Sequence, residues 1–193
     1  LIHLGKPEGH TQRQVEGWVD RYFRAKTNEL PGLEQAASWL LENIPSTAPL
    51  AFIHNDFKYD NIVLDPQQPT HIKGVLDWEM ATVGNPLMDL GTSLAYWAEE
   101  KDPEILKLFN LSHLPGNLSR QEIMEYYFSN ETGSKQEMVF YYVFGLVKVA
   151  VIAQQIFKRY SQGFSTDPRF EPLIHVVEAA GKKALKTLQT DKI

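Results

Sequence analysis

From Thr11 onward, apolar residues return every three or four positions, at Val15, Trp18, Val19, Tyr22 and Phe23. That is the period of a helix with one buried face, and Thr11 is its expected N-cap. Pro31 and Gly32 interrupt the pattern. Leu33, Ala36, Ala37, Leu40 and Leu41 resume it as a second amphipathic helix that stops near Pro45. Trp18 and Trp39 stand at helical spacing and read as packing residues. The period then changes. Leu50–Ile53, Ile62–Leu64 and Val75–Leu76 are short apolar runs bounded by polar and turn residues, which predicts short strands. Gly84-Asn85-Pro86 reads as a turn, and helical spacing returns from about Leu87 to Ala98. Asp102-Pro103 opens a short helix with proline at its first position. Pro115-Gly116 closes that section, and Ser119-Arg120-Gln121-Glu122 is a capping box ahead of Ile123, Tyr126 and Tyr127. The longest apolar stretch, Met138–Ala153, contains Lys148. It is too short and too charged for a membrane span and predicts a central helix buried on most sides. Past Asp167-Pro168, the positions Leu173, Val176, Val177, Ala180 and Leu185 fit a terminal helix. The expected fold is α+β and mainly helical, one domain over residues 1–193, with a few short strands. No internal repeat, low-complexity tract or long linker interrupts it.

The short strands bracket the chain's densest polar cluster. His54, Asp56, Lys58, Asp60 and Asn61 lie between the first two, and Asp77 follows the third. Polar side chains at strand ends converge on one rim. Several carboxylates with few cations nearby call for a metal, a cationic substrate or a proton. The spacing is specific: His54 through Asn61 fits H-x-D-x-x-x-x-N, the catalytic-loop pattern of kinases, and Asp77-Trp78-Glu79 falls where kinases carry D-F-G. Taken singly, Asp56, Asp60 and Asp77 read as caps of turns and strand ends. Taken together, in a strand–loop–strand context, they read as a site.

Here the sequence resembles the aminoglycoside phosphotransferase and choline kinase family, small-molecule kinases built on the protein-kinase fold. The segments HNDFKYDN and LDWEMATVGNPLMDLG are most similar to phosphotransferase domains related to those fused to acyl-CoA dehydrogenases. The resemblance implies a protein-kinase-like C-terminal lobe whose strands carry the catalytic loop. It implies an ATP-dependent phosphotransferase acting on a hydroxyl of a small molecule, with Mg²⁺. Asp56 is then the base that accepts and orients the hydroxyl. Asn61 and Asp77 are the Mg²⁺ ligands and, with Lys58, the nucleotide-binding residues. His54 is a scaffold residue of the loop, and Asp89 bonds the loop backbone. Lys58 reads equally as a phosphate contact or a solvated lysine. Asp60 is a candidate for tying down the loop, and Glu79 for the metal or substrate region or a simple turn. Glu122, Glu125 and Tyr126 read as acceptor-facing or as surface positions. Asp77-Trp78-Glu79 replaces the D-F-G glycine, and no A-P-E signature follows; both count against a switching protein kinase. Two other readings stay open. One is a non-catalytic kinase-like binding module. The other is a metal-dependent phosphohydrolase with His54, Asp56 and Asp77 as ligands.

The remaining features narrow the class. The chain opens on Leu1, and neither G-x-G-x-x-G nor a P-loop occurs, so the nucleotide-covering lobe is expected upstream of this chain and the isolated lobe is expected to be inactive. At 193 residues, 43% hydrophobic and 22% charged, the composition suits a globular domain with one sizeable core. A net charge of −5 argues against a nucleic-acid or anionic-membrane surface. The absence of cysteine excludes disulfides and thiolate chemistry and fits a cytoplasmic setting.

Overall fold

The computed structural model describes residues 5–46, 49–129 and 137–193. Along them run α1 (His10–Ala25), α2 (Pro31–Glu42), β1 (Ala51–Ile53), β2 (Ile62–Leu64), β3 (Ile72–Val75), β4 (Thr82–Gly84), α3 (Pro86–Tyr96), α4 (Arg120–Ser129), α5 (Met138–Ser161) and α6 (Leu173–Thr190). Short 3₁₀ turns cover Tyr59–Asn61, Trp78–Met80, Glu104–Phe109 and Pro168–Phe170. The mainly helical expectation holds, with the strands reduced to two antiparallel pairs. In β1–β4, Ala51 faces Gly84 and Ile53 faces Thr82; in β2–β3, Ile62 faces Val75, with a register shift between Val63 and Leu64.

Helix α5 is the centre of the core. Every residue from Phe140 to Val151 is buried, and α1, α2, α3 and α6 pack around it. An all-round apolar helix needs all-round cover. Its length and composition would suit a membrane crossing, but here its surface is taken up by other helices. Glycines set the closest of these contacts. A Cβ on Gly91 of α3 would collide with the Tyr141 carbonyl, and one on Gly145 of α5 with the Gly91 carbonyl. The two backbones therefore approach as only glycine allows, which brings the first turn of α3 beside α5 and under the β1 loop.

Several boundaries differ from the sequence expectation. Thr11 does not cap α1; Gly9, in the left-handed region at φ 62°, precedes a helix that begins at His10. Glycine meets that backbone requirement directly, and no side chain substitutes for it. Strand β4 was not expected: Thr82-Val83-Gly84 is too short to show alternation, and it exists by pairing with β1. Leu76 lies outside β3, its N–H donating to the Asn61 carbonyl at 2.8 Å. The segment after Asp102 is a 3₁₀ turn with Pro103 as N-cap, not an α-helix. Helix α5 continues two turns past Ala153 to Ser161, because its exposed end is polar but still helical. The capping box is as expected: Ser119 N–H donates to Glu122 Oε2 at 2.8 Å, and Glu122 N–H to Ser119 Oγ at 3.2 Å.

One buried ionic cluster ties α4 to α6 and to the loop after α3. Arg120 Nη1 donates to Asp102 Oδ2 at 2.7 Å and to the Trp97 carbonyl at 2.8 Å, while Nη2 reaches Glu99 Oε2 at 2.7 Å. Lys183 of α6 binds the other oxygen of Asp102. Burial pushes the Asp102 carboxyl up, but hydrogen bonding and charge from Arg120, reinforced by Lys183, outweigh it and hold it at about 2. Lys183 is pushed down to about 8, by burial first and then by the Arg120 charge. A carboxyl depressed by folding contributes stability that is present above its unfolded value and lost as pH falls through about 2. Asp102→Asn is expected to cost about 2 kcal/mol at neutral pH, by leaving two buried cations facing an amide. It should also flatten the acid limb of stability. Thermal melts of both proteins across pH test this, and equal melting temperatures at pH 7 would show that the cluster holds nothing.

Candidate active site

The loop after β1 is held from beneath by α3 and α5. Asn85 caps α3 by accepting the Leu87 N–H at 2.9 Å, which sets Asp89 in the first turn. Asp89 Oδ2 accepts the His54 N–H at 2.7 Å, and Oδ1 the Asn55 N–H at 2.8 Å. Burial raises the Asp89 carboxyl, and these two N–H groups oppose the rise. One turn on, Ser93 Oγ donates to the Phe57 carbonyl at 2.7 Å. Asn55 sits in the left-handed region at φ 68°, a conformation asparagine tolerates. Its carbonyl accepts from Lys148 Nζ of α5 at 2.6 Å. Lys148 is buried; desolvation lowers it to about 8, against the pull of the Asp56 and Asp89 charges. The sequence flagged Lys148 only as a break in an apolar run; a lone lysine inside a core helix was the available signal.

His54 is a structural residue of this loop. Its Nδ1 accepts the Asp56 N–H at 3.2 Å, so Nε2 carries the proton donated to the Leu76 carbonyl at 2.8 Å. Both ring nitrogens are occupied by backbone, which leaves none for a metal and removes the support for a His54-liganded phosphohydrolase. Trp78 lies against the same imidazole at 4.7 Å, stacks on Phe52 and donates to the Val75 carbonyl at 2.7 Å. The segment after Asp77 is thus pinned by an aromatic side chain.

Asp56, Lys58 and Asn61 meet across the loop. Lys58 Nζ donates to Asp56 Oδ2 at 2.7 Å, and Asn61 Nδ2 donates to the Asp56 carbonyl at 2.8 Å and to Asp56 Oδ2 at 3.2 Å. Lys58 also lies over the Tyr96 ring, so it is not a freely solvated lysine. The Asn61 amide nitrogen faces Asp56, which turns the amide oxygen outward from that contact. Asp77 is exposed, in the left-handed region at φ 63° and ψ 53°, and no side-chain hydrogen bond or ion pair holds its carboxylate among the described residues. No cluster of three His, Cys, Asp or Glu residues able to hold a metal by itself occurs among the described residues. Asp60 and Glu79 are exposed on their 3₁₀ turns, and neither makes a loop-anchoring bond among the described residues.

Beside Lys58 opens a cavity of about 490 Å³ between β1, the loop, α3 and α4. Its wall is largely aromatic and aliphatic, with Phe57, Tyr59, Tyr96, Trp97 and Tyr127 among the lining residues. Among the described residues, Asp89 is the one carboxylate in that lining, and its two oxygens are taken by the loop N–H groups. Helix α4 does reach the cavity, through Ile123 and Tyr127. Glu122, Glu125 and Tyr126 do not line it: Glu122 is committed to the capping box and Tyr126 faces outward.

A family model for the phosphotransferase enzyme family (APH) matches residues 1–121. Acyl-CoA dehydrogenase family member 11 of Mus musculus is 30% identical over 97% of this chain, which covers 25% of that protein. The Homo sapiens member 11 is 30% identical over 84% of this chain and 21% of its own length, and Mus musculus member 10 is 31% identical over 82% and 15%. The chain therefore spans about a quarter or less of the curated relatives it matches. Among solved structures, a Ralstonia eutropha protein assigned as an aminoglycoside phosphotransferase superposes with a TM-score of 0.78 at 24% identity, over 97% of this chain and 57% of that one. That likeness is one of fold.

Proposed function

Because the chain belongs to the phosphotransferase enzyme family, we propose that it carries the acceptor-side half of a kinase that transfers phosphoryl from ATP to a hydroxyl of a small molecule. The observation that carries this reading is the convergence of Asp56, Lys58 and Asn61 on one loop whose backbone is fixed by Asp89, Ser93 and Lys148. Phosphoryl transfer asks mainly for positioning and charge stabilisation, and a rigid loop supplies the first. Asp56 accepts the hydroxyl's hydrogen bond and orients its oxygen. Lys58, tethered to Asp56, stands ready to meet a phosphate oxygen.

The family implies a nucleotide and a divalent metal. The residues present fit Mg²⁺: an uncommitted carboxylate at Asp77 and an outward amide oxygen at Asn61 are hard oxygen donors, too few to form a cage. Such sets suit Mg²⁺ completed by phosphate oxygens and water. When bound, the ion neutralises charge on the transferring group. The rest of the nucleotide site is assigned to an additional lobe. In support, Phe52, Leu76, Trp78 and Met80 expose large apolar surface at the rim, and the relatives are several times longer than this chain. The acceptor enters the 490 Å³ cavity. A polycationic sugar would seek free carboxylates there, and among the described residues the lining offers none, which favours a hydroxyl compound with an apolar body as acceptor.

ADP release by the full-length protein, followed over a panel of hydroxyl compounds with Mg·ATP, tests the reading. Turnover is expected for apolar alcohols ahead of aminoglycosides, and no turnover with any hydroxyl acceptor would overturn it. Lys148 offers a second test. Lys148→Met removes the donor that fixes the Asn55 carbonyl without leaving a cavity, so kcat should fall by about 10- to 100-fold while the fold persists. In the wild type, a lysine lowered to about 8 by folding makes stability rise as pH climbs from there towards its ordinary value. That rise should shrink in the variant to the part that Lys183 supplies. Unchanged kcat with a reduced pH limb would restrict Lys148 to packing.

A further inference from the structure

A second pocket, of about 270 Å³, lies between α1, β4 and Asn55. Lys6, His10, Arg13, Arg21 and Lys148 line it, and no acidic side chain does. In a chain of net charge −5, five basic groups on one small concavity require a physical reason. Solvation accounts for the exposed Lys6, Arg13 and Arg21, but not for His10 and Lys148, which are buried on the same wall. Among the described residues, none of the four Lys and Arg side chains has a carboxylate partner, whereas Arg24, Lys26, Lys58 and Lys182 elsewhere in the chain pair with nearby carboxylates. Arg13 is held open by the Glu8 and Lys6 carbonyls, and Arg21 lies flat on the Trp18 ring at 4.6 Å. Carbonyls and an aromatic face orient a guanidinium without neutralising it.

His10 is the independent sign of a missing ligand. It is 5% exposed, and among the described residues both ring nitrogens are buried without a hydrogen-bond partner. A buried polar group left unpaired costs about 1–3 kcal/mol, and both nitrogens of one ring are involved here. Burial and then the Arg13 charge push the imidazole's affinity for a proton down. An anion beside Arg13 would offset the second effect.

We propose that this pocket binds a phosphate group, free or carried as a monoester on a small molecule, between α1 and the His54–Asn61 loop. Tetrahedral oxyanions take several charge-assisted donors at once, and Arg13, Arg21 and Lys6 supply them around His10. Because Lys148 both lines the pocket and holds the Asn55 carbonyl, an occupant shares a residue with the loop. Occupancy and loop geometry are therefore coupled.

Titration calorimetry of the full chain with inorganic phosphate, and separately with glycerol phosphate, tests the site; the tighter arm identifies the source of the group. One phosphate per chain is expected. Arg13→Gln/Arg21→Gln should weaken it by at least about tenfold. His10→Phe should act in the same direction, and circular dichroism confirms that each variant is folded. Asp77→Gly, at a residue that does not line the pocket, should leave phosphate binding intact. The proposal is overturned if millimolar phosphate gives no binding, if the double variant binds as well as wild type, if chloride displaces phosphate at equal concentration, or if Asp77→Gly abolishes the binding.

Discussion

Asp56→Asn in the full-length protein is expected to lower kcat by about 10²- to 10⁴-fold, with little change in the KM for nucleotide. The split follows from position. Asp56 accepts from Lys58, which lines the aromatic cavity, and from Asn61 on the loop, so in the proposed reading it meets the acceptor and not the nucleotide. An amide keeps the size and one hydrogen bond but loses the charge that orients a hydroxyl proton. The melting temperature should barely move, because the Lys58–Asp56 pair is partly exposed, and such pairs contribute at most about 1 kcal/mol. Lys58→Met serves as a control: it breaks the same ion pair while sparing the carboxylate, and its loss of kcat should be smaller. Equal losses in the two variants would assign the effect to the pair and not to a base. Near-normal turnover in Asp56→Asn would remove the kinase reading of the loop.

What the sequence made legible was what lies close along the chain. His54, Asp56 and Asn61 fall within eight residues, so their spacing carries the loop's conformation with it. The Ser119–Glu122 capping box is legible for the same reason, since both of its bonds are local. Features built by tertiary contact were not. Lys148 reaches a carbonyl 93 residues away, and no local pattern announces which core lysine finds such a partner. Strand β4 has no alternation of its own and is defined by β1. Of the two readings of Glu122, Glu125 and Tyr126, the surface one agrees with the structure, and α4 reaches the cavity through Ile123 and Tyr127 instead. The rotation that brings Ile123 and Tyr127 inward is set by Arg120 in its buried ionic cluster, not by periodicity. His10 stands just ahead of the first periodic stretch, where no local pattern signals burial. Its burial depends on a pairing with Gly84 that leaves no room for a side chain there.

The other large effect is expected at Asp77, where backbone and chemistry can be separated by choice of substitution. Asp77 sits at φ 63° and ψ 53°, a region that β-carbon sterics disfavour and that aspartate, asparagine and glycine enter most readily. Asp77→Ala combines two losses: the carboxylate, and about 1–2 kcal/mol from forcing alanine into that region. Asp77→Gly removes the carboxylate and relieves the backbone, so its melting temperature should match or exceed wild type. Asp77→Asn keeps the conformation and side-chain volume and removes only the charge. If Asp77 holds Mg²⁺ against the nucleotide phosphates, all three variants should lose Mg·ATP-dependent turnover by about 10²-fold or more, since charge stabilisation of the transferring group goes with the ion. Only the alanine variant should also melt early. Turnover that tracks melting temperature across the series, with glycine active and alanine not, would make Asp77 a backbone residue and leave the metal to other ligands.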